Sequence, residues 1–439
     1  MARRSAHRAL DVYWNGVRVA TWSLPSRGPT ELVYDRAWAS SSAARPLSLS
    51  LPMNLDGAPL RGAAVESYFD NLLPDGDAMR RRIQARFRTT STAPFELLAA
   101  VGRDCVGAVM LVPAGELPPP SSSIDVEPLD DHAIARHLAA VTSPPEPGDV
   151  DDDAFRISVA GAQEKSAFTW HRGRFGRPRG ATPTTHLFKL PLGLVGARQI
   201  DLSTSLENEW VSAEILRRLG VPMAESELRR FGDRKALVVT RFDRRLDRTG
   251  RFFLRLPQED LCQATGTPSV RKYEADGGPG LVDIAKILRA SEARDEDLAT
   301  LFRAQLGFWL LGAPDGHAKN FSIHLLAGGR LRLTPLYDVI SAWPVVGGRA
   351  DQIHPKKLRL AMSLCGTTKH YRVDEVRRRH FVETGKRLGL VEVDALIDDV
   401  LSRVPGALAD VSAKLPRGFP VTVLGAIADG VTKSAKRLA

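Results

Sequence analysis

Gly312-Ala313-Pro314-Asp315-Gly316-His317-Ala318-Lys319-Asn320 is a polar loop set between an almost wholly apolar run, residues 301–311, and a strand-like run, residues 321–326. The apolar run reads as a buried helix, so the loop is held at both ends by core elements. An Asp and an Asn five residues apart on such a loop supply two things that phosphoryl transfer requires. One is a carboxylate to accept the proton of an attacking hydroxyl; the other is an oxygen ligand for the metal on the phosphates. Eighteen residues past Asn320, after Leu331-Arg332-Leu333, comes Tyr337-Asp338, whose carboxylate offers a second metal ligand. Oxygen ligands with water suit Mg²⁺ rather than zinc. A single loop Asp is ordinarily a solvated cap; the ordered trio Asp315, Asn320 and Asp338 behind a buried helix carries the reading.

Upstream, Ser158-Val159-Ala160-Gly161-Ala162-Gln163-Glu164-Lys165 joins two strand candidates through small residues. A small-residue turn lets backbone N–H groups approach phosphates. It holds one Gly, so neither G-x-G-x-x-G nor the Walker pattern is met, and taken alone an ordinary hairpin explains it better. Lys189 ends the alternating run Thr185-His186-Leu187-Phe188-Lys189, facing either inward to phosphates or outward to water. Arg241-Phe242-Asp243-Arg244 closes the last strand of this region, where a hinge would hold adenine by backbone groups. Residues 157–170, 185–190 and 236–241 are the strand candidates. One helix interrupts them: Thr204 and Glu207 have capping-box spacing, Leu206, Trp210 and Leu216 are its apolar anchors, and Gly220 stops it. After residue 245 helices dominate, with helical periodicity over 375–389, 394–402 and 420–437. A β-rich half followed by an α-rich half, with polar motifs at the junction, is the order of a two-lobed nucleotide-binding enzyme.

The first 112 residues form a unit of their own. Asn15-Gly16 between two alternating runs predicts a hairpin, and residues 47–51 alternate apolar with serine as a half-buried strand would. Residues 68–75 lead into a basic helix over 79–88, and 106–112 read as a closing strand. Pro, Ser and acidic residues at 113–123 and 143–153 read as linkers around a short helix over 127–140. The expected units are thus 1–112, a linker with a helix over 113–153, a β-rich lobe over 154–245 and a helical lobe over 246–439.

The 439 residues are 43% apolar and 26% charged, a soluble globular composition, with a net charge of +10. That balance favours a polyanionic partner, nucleic acid above all, and Arg80-Arg81-Arg82, Arg377-Arg378-Arg379 and Lys386-Arg387 are candidate phosphate contacts; a solvated basic face is the plainer reading. Three scattered cysteines give no CxxC or Cys/His cluster and fit a reducing compartment. No apolar run reaches a membrane span and the N-terminal residues lack a signal-peptide pattern, so a cytoplasmic location is expected.

Longer strings resemble one family. Arg156-Ile-Ser-Val-Ala-Gly-Ala-Gln-Glu-Lys165, Thr184-Thr-His-Leu-Phe-Lys189, Leu256-Pro-Gln-Glu-Asp-Leu-Cys-Gln263, Lys272-Tyr-Glu-Ala-Asp-Gly-Gly-Pro-Gly280 and residues 309–321 look like those of the HipA toxin kinases. Ala44-Arg-Pro-Leu-Ser-Leu-Ser-Leu-Pro52 and Phe69-Asp-Asn-Leu-Leu-Pro-Asp75 resemble that family's N-terminal subdomain. The spacing from Asp315 to Asn320 is also that of the kinase loop H-R-D-x-x-x-x-N. The resemblance, spanning about residues 10–420, implies an α+β, two-lobed protein-kinase-like fold, β-rich then all-helical, with an added α+β N-terminal subdomain. It implies a serine/threonine kinase using ATP and Mg²⁺, with Asp315 as catalytic base and Asn320 and Asp338 as metal ligands. Ala160, Gly161, Ala162, Gln163, Glu164 and Lys165 would form the phosphate loop, Lys189 would bind phosphate, and Thr240, Arg241 and Phe242 would form the adenine hinge. His317 and Tyr337 would line the nucleotide site, and Ser158 would be autophosphorylated. Thr240 departs from the family, where Glu is expected, a change that a backbone contact tolerates. The resemblance further implies the toxin half of a type II toxin–antitoxin pair with a HipB-like antitoxin dimer, operator DNA reached through that complex (with Lys386 and Arg387 as contacts), and a protein substrate, plausibly an aminoacyl-tRNA synthetase. Its loss would inhibit translation and growth, giving persistence. Two other classes stay open: a pseudokinase that binds a DNA complex, and a small-molecule kinase.

Overall fold

The computed structural model describes residues 8–54, 56–120, 122–142 and 163–439. The expected hairpin forms from β1 (Arg8–Trp14) and β2 (Val17–Leu24). Asn15 and Gly16 both take positive φ, 47° and 84°, which matches the turn to the twist of its strands. β3 (Glu31–Tyr34), the single-turn α1 (Arg36–Ala39), β4 (Leu60–Arg61), α2 (Ala63–Asp70), α3 (Asp77–Phe87), α4 (Pro94–Val101) and β5 (Val109–Pro113) follow. The strands make an antiparallel sheet of order β4-β3-β2-β1-β5, whose core stacks Trp22 on Phe69 at 3.8 Å. Residues 47–51, expected as a strand, form a loop with one isolated bridge. Ser48 and Ser50 donate their hydroxyls to the Gln263 carbonyl, so the alternation serves side-chain hydrogen bonds instead of a strand ladder.

The second unit is an antiparallel sheet of order β12-β13-β9-β7-β8-β6. Its elements are β6 (Val126–Pro128), α5 (Asp131–Thr142), β7 (Lys165–His171), β8 (Arg174–Pro178), β9 (His186–Lys189), the hairpin β10 (Gly193–Val195) and β11 (Ile200–Leu202), α6 (Ser205–Arg218), β12 (Ser226–Phe231) and β13 (Arg234–Thr240). Alternation along β13 sets its two faces. Ala236 and Val238 join Ile134 and Leu138 of α5 in one cluster, while Leu237 and Val239 face α6 and the main core. Residues 126–142, expected to belong to a linker, are therefore part of this lobe, with β6 paired to β8. The expected capping box of α6 is not made: Thr204 forms no side-chain cap bond, and Glu207 instead accepts from Lys235 at 2.8 Å.

The last unit contains β14 (Arg244–Leu246), β15 (Phe253–Arg255), β16 (Gln258–Asp260), α7 (Leu261–Ala264), α8 (Leu281–Leu288), α9 (Arg294–Leu311), β17 (Ser322–Leu325), β18 (Leu331–Leu333), β19 (Arg359–Leu364), β20 (His370–Arg372), α10 (Arg378–Leu388), α11 (Val393–Ala413) and α12 (Val421–Leu438). Helices α8, α10, α11 and α12 pack around α9, whose second half is nearly inaccessible. The lobe expected to be all-helical also carries the small sheet β16-β17-β18, which supports the loop after α9, and the hairpin β19-β20. Among the described residues no helix is long and apolar enough to cross a membrane.

Candidate active site

The two lobes meet at a pocket lined from above by Lys165, Lys189 and Glu209 and from below by Asp315, Asn320 and Asp338. β9 ends on Lys189, a residue 5% exposed whose ammonium donates to Glu209 Oε1 and to Asp338 Oδ1, each at 2.6 Å. A buried lysine keeps its charge only beside carboxylates, and these two hold it above its ordinary value against the cost of burial. In turn, burial would raise the Asp338 carboxyl, but Lys189 and Lys165 outweigh it and hold Asp338 well below the usual range. Burial pulls the Lys165 ammonium down to about 8, with Asp338 opposing. Glu209, which comes from α6, went unnoticed in the sequence. Its signal is faint: a charged residue flanked by Glu207, Asn208 and Trp210 on a helix that buries nearly every side chain of its first turns.

α9 stops at Gly312, which takes φ 58° and turns the chain into the loop that presents Asp315. The Asp315 carboxylate is half exposed and accepts a hydrogen bond from the Tyr273 hydroxyl. His317 lies beside it, with Nε2 3.5 Å from Asp315 Oδ1, and both of its buried ring nitrogens are unpartnered among the described residues. Burial lowers this imidazole to about 4, with Asp315 opposing, so it is neutral near pH 7. Lys319 donates to the Asn71 carbonyl and side chain (3.1 and 2.8 Å) and to Asp260 Oδ2 (3.0 Å). Asn320 Nδ2 donates to the Asp338 carbonyl at 3.0 Å, which leaves Oδ1 as its available oxygen. Asp338 itself sits at φ 64°, a left-handed geometry held by these contacts. Among the described residues Asp338 Oδ2 accepts no protein hydrogen bond, so two oxygens remain for a hard divalent cation, and the donor set fits Mg²⁺.

At the far end, Tyr337 shares a 2.5 Å hydrogen bond with Ser322, donates to the Lys319 carbonyl and packs near Phe242. Of the expected hinge, Thr240 and Arg241 already donate their backbone N–H groups to the Glu225 and Thr185 carbonyls. The Phe242 N–H has no such partner among the described residues. The Arg241 side chain is drawn into a buried ion cluster with Asp243. Gln163 donates to the Leu190 carbonyl at 2.7 Å, and Glu164 pairs with Arg82 of α3. Ser158, Ala160, Gly161 and Ala162 lie outside the described residues. The pocket also includes Asn71, Asp75 and Lys272, which lie in the quoted strings but have no role assigned from the sequence. The arginine triplets are largely engaged internally: Arg80 with Asp70 and the Pro74 carbonyl, Arg377 with the Asp374 and Val376 carbonyls, Arg378 with Asp394 and Asp398. Lys386 and Arg387 occupy the exposed last turn of α10, where Arg387 pairs with Glu383 at 2.8 Å.

A β-rich lobe and a largely helical lobe closing on a shared polar pocket, with an α+β domain in front, define an α+β, protein-kinase-like fold. The HipA-like C-terminal domain matches residues 157–408, and the HipA N-terminal domain matches residues 10–112. The chain belongs to the HipA family. It is 32% identical over 361 residues to the Sinorhizobium fredii protein named "Putative kinase Y4mE", covering 81% of this chain and 82% of that one. It is 26% identical over 425 residues to the serine/threonine-protein kinase toxin HipA of Shewanella oneidensis, covering 93% and 90%. The fold matches that of a solved complex of HipA, HipB and operator DNA from Shewanella oneidensis MR-1, with a TM-score of 0.78, 22% identity and coverage of 98% and 97%.

Proposed function

We propose that this chain is an ATP- and Mg²⁺-dependent serine/threonine protein kinase, the toxin of a type II toxin–antitoxin pair acting in the cytoplasm. One observation carries the reading: Lys189 bridges Glu209 and Asp338 at 2.6 Å each, with Asn320 bound to the Asp338 backbone and Asp315 on the same wall. This lysine–glutamate pair and metal-site aspartate are what an active kinase needs in place together, which favours a working enzyme over a pseudokinase. Asp315 accepts the proton of the acceptor hydroxyl. As the bond from that oxygen to the γ-phosphorus forms, the bond to the β–γ bridging oxygen breaks and ADP leaves. Asn320 Oδ1 and Asp338 would hold Mg²⁺, which would supply neutralisation of the charge on the phosphates. Phe242 supplies the hinge N–H, and Lys165 and Lys189 flank the phosphate end. Ser158 is the proposed autophosphorylation site; a phosphate there adds about −1.5 to −2 charge beside a loop that cradles ATP phosphates, which disfavours ATP. The cellular substrate is a protein, plausibly an aminoacyl-tRNA synthetase, whose modification inhibits translation and growth and gives persistence. Kinship with a HipA whose solved complex holds HipB and operator DNA supports a HipB-like antitoxin as partner, with Lys386 and Arg387 as backbone contacts to DNA.

Phosphosite mapping after incubation with Mg-ATP, alone and with bacterial lysate, tests this. Wild type is expected to carry phosphate on Ser158, and Asp315→Asn or Asp338→Asn to lose transfer by ~10²–10⁴-fold while staying folded. Wild-type rates in either folded variant refute the site, and phosphate on another residue instead refutes the assignment of Ser158.

A further inference from the structure

The segment Lys272-Tyr273-Glu274 reaches the reaction centre from outside the elements that define it. The Tyr273 hydroxyl donates to Asp315 Oδ1, and its ring stands edge-on to His317 at 5.0 Å. The Lys272 ammonium is 2.8 Å from Asp75 Oδ2, has a side chain only 15% exposed, and lines the same pocket as Asp315, His317 and Asp338. The segment is fixed at its other end. Glu274 accepts from the Ser363 N–H and hydroxyl (2.6 and 3.0 Å) and pairs with Lys369 at 2.8 Å. A Cβ on Gly278 would meet the Arg271 carbonyl at 2.1 Å, so the chain doubles back tightly behind the two side chains.

A phosphoryl group in flight spreads negative charge over its oxygens, and a cation aimed there raises the rate. The other cations beside this pocket are engaged. Lys189 bridges Glu209 and Asp338, Lys319 is held by Asn71 and Asp260, and Arg241 is held by Asp243. Lys165 stands on the opposite lobe. Among the described residues Lys272 has one carboxylate partner; it stands next in sequence to the residue that binds Asp315, and is on the same side of the pocket as Asp315.

We propose that Lys272 is a catalytic cation that contacts the transferring phosphoryl group and that Tyr273 is a positioning residue that holds Asp315 through Oδ1, leaving Oδ2 for the acceptor hydroxyl. The proposal rests on the kinase reading above. Asp75, from the N-terminal domain, keeps Lys272 poised before nucleotide arrives.

Lys272→Met, Lys272→Arg and Tyr273→Phe in the full chain test it, by phosphoryl-transfer kinetics and by affinity for Mg-ADP with and without aluminium fluoride, which with ADP mimics the group in transfer. Lys272→Met is expected to lose on the order of 10²-fold in kcat, to keep ADP affinity within about threefold, and to lose the tightening that fluoride gives. Lys272→Arg is expected to regain part of both. Tyr273→Phe is expected to lose about tenfold in kcat with the KM for ATP unchanged. Wild-type kcat or wild-type tightening in Lys272→Met overturns the proposal. So does an equal loss of ADP and ADP–fluoride affinity, the mark of a structural role. If Lys272→Met does not fold, Lys272→Arg and Tyr273→Phe decide by the same readouts, and unchanged kcat in both overturns it. A wild-type chain that neither transfers phosphate nor tightens on ADP with fluoride overturns the kinase reading itself, and this proposal with it.

Discussion

Glu259 is inaccessible to solvent on β16, with Oε1 accepting from the Leu49 N–H at 2.9 Å and Oε2 buried without a partner among the described residues. Burial pushes its carboxyl from an ordinary 4.5 up to about 8, with the Leu49 hydrogen bond opposing. The folded protein therefore keeps a proton near pH 7 that the unfolded chain releases. The stability tied to that proton is fully present below about 4.5 and is lost as pH rises through about 8, by up to ~1.4 kcal/mol per pH unit. Glu259→Gln has no proton to lose. Its unfolding free energy, relative to wild type, is expected to climb between pH 5 and pH 8 in urea titrations. Parallel curves for the two proteins would show that Glu259 is ionised in the fold.

At the scale of an element, Gly312 decides where α9 ends. Its φ of 58° strains any residue with a Cβ, and an added Cβ would lie 2.9 Å from the Trp343 ring, which is fixed by its own 2.8 Å bond to the Leu310 carbonyl. Gly312→Ala is expected to cost about 1–3 kcal/mol in unfolding free energy and to slow transfer more than it weakens ADP binding, since Asp315 lies three residues on. A loss of stability below about 0.5 kcal/mol would mean the loop yields freely. Local chemistry made such features legible in advance: Asn15-Gly16 dictates its hairpin, and the apolar run before Gly312 dictates a buried helix. What stayed hidden depends on neighbours far along the chain. Ser48 and Ser50 alternate like a strand because they bind Gln263. The Pro- and Ser-rich runs at 113–123 and 143–153 made everything between them read as linker, while Ile134 and Leu138 already carried a core face. Asp315, Asn320 and Asp338 were readable from spacing, whereas Glu209, Lys272 and Tyr273 reach the pocket only through the packing of α6 and the loop before α8.

For the whole molecule, the N-terminal domain and the two lobes are joined by buried charge. Asp104 lies 2.9 Å from Arg244, 3.4 Å from Arg255 and 3.5 Å from Arg241, and accepts from the Thr184 N–H and hydroxyl. Burial would raise its carboxyl, but the three arginines hold it well below the usual range. Removing one member of such a cluster leaves uncompensated charge, so Asp104→Asn is expected to lose about 3–5 kcal/mol of stability. ADP affinity should fall with it, because Arg241 and Asp243 flank the Phe242 hinge. A loss under about 1 kcal/mol, or unchanged ADP affinity, would show that the domain is merely attached. These contacts also bear on heredity. Lys319 takes two of its acceptors from Asn71, and Arg244 takes part of its acceptors from Asp104 and the Gly107 carbonyl. A recombinant joining these first 113 residues to a relative's remainder must bring matching partners on both sides of the crossover, or bury a lysine and three arginines short of part of their acceptors. The two parts are thus selected as one heritable unit, and past exchanges are expected to survive only with paired changes at positions 71 and 319, and at 104 together with 241, 244 and 255.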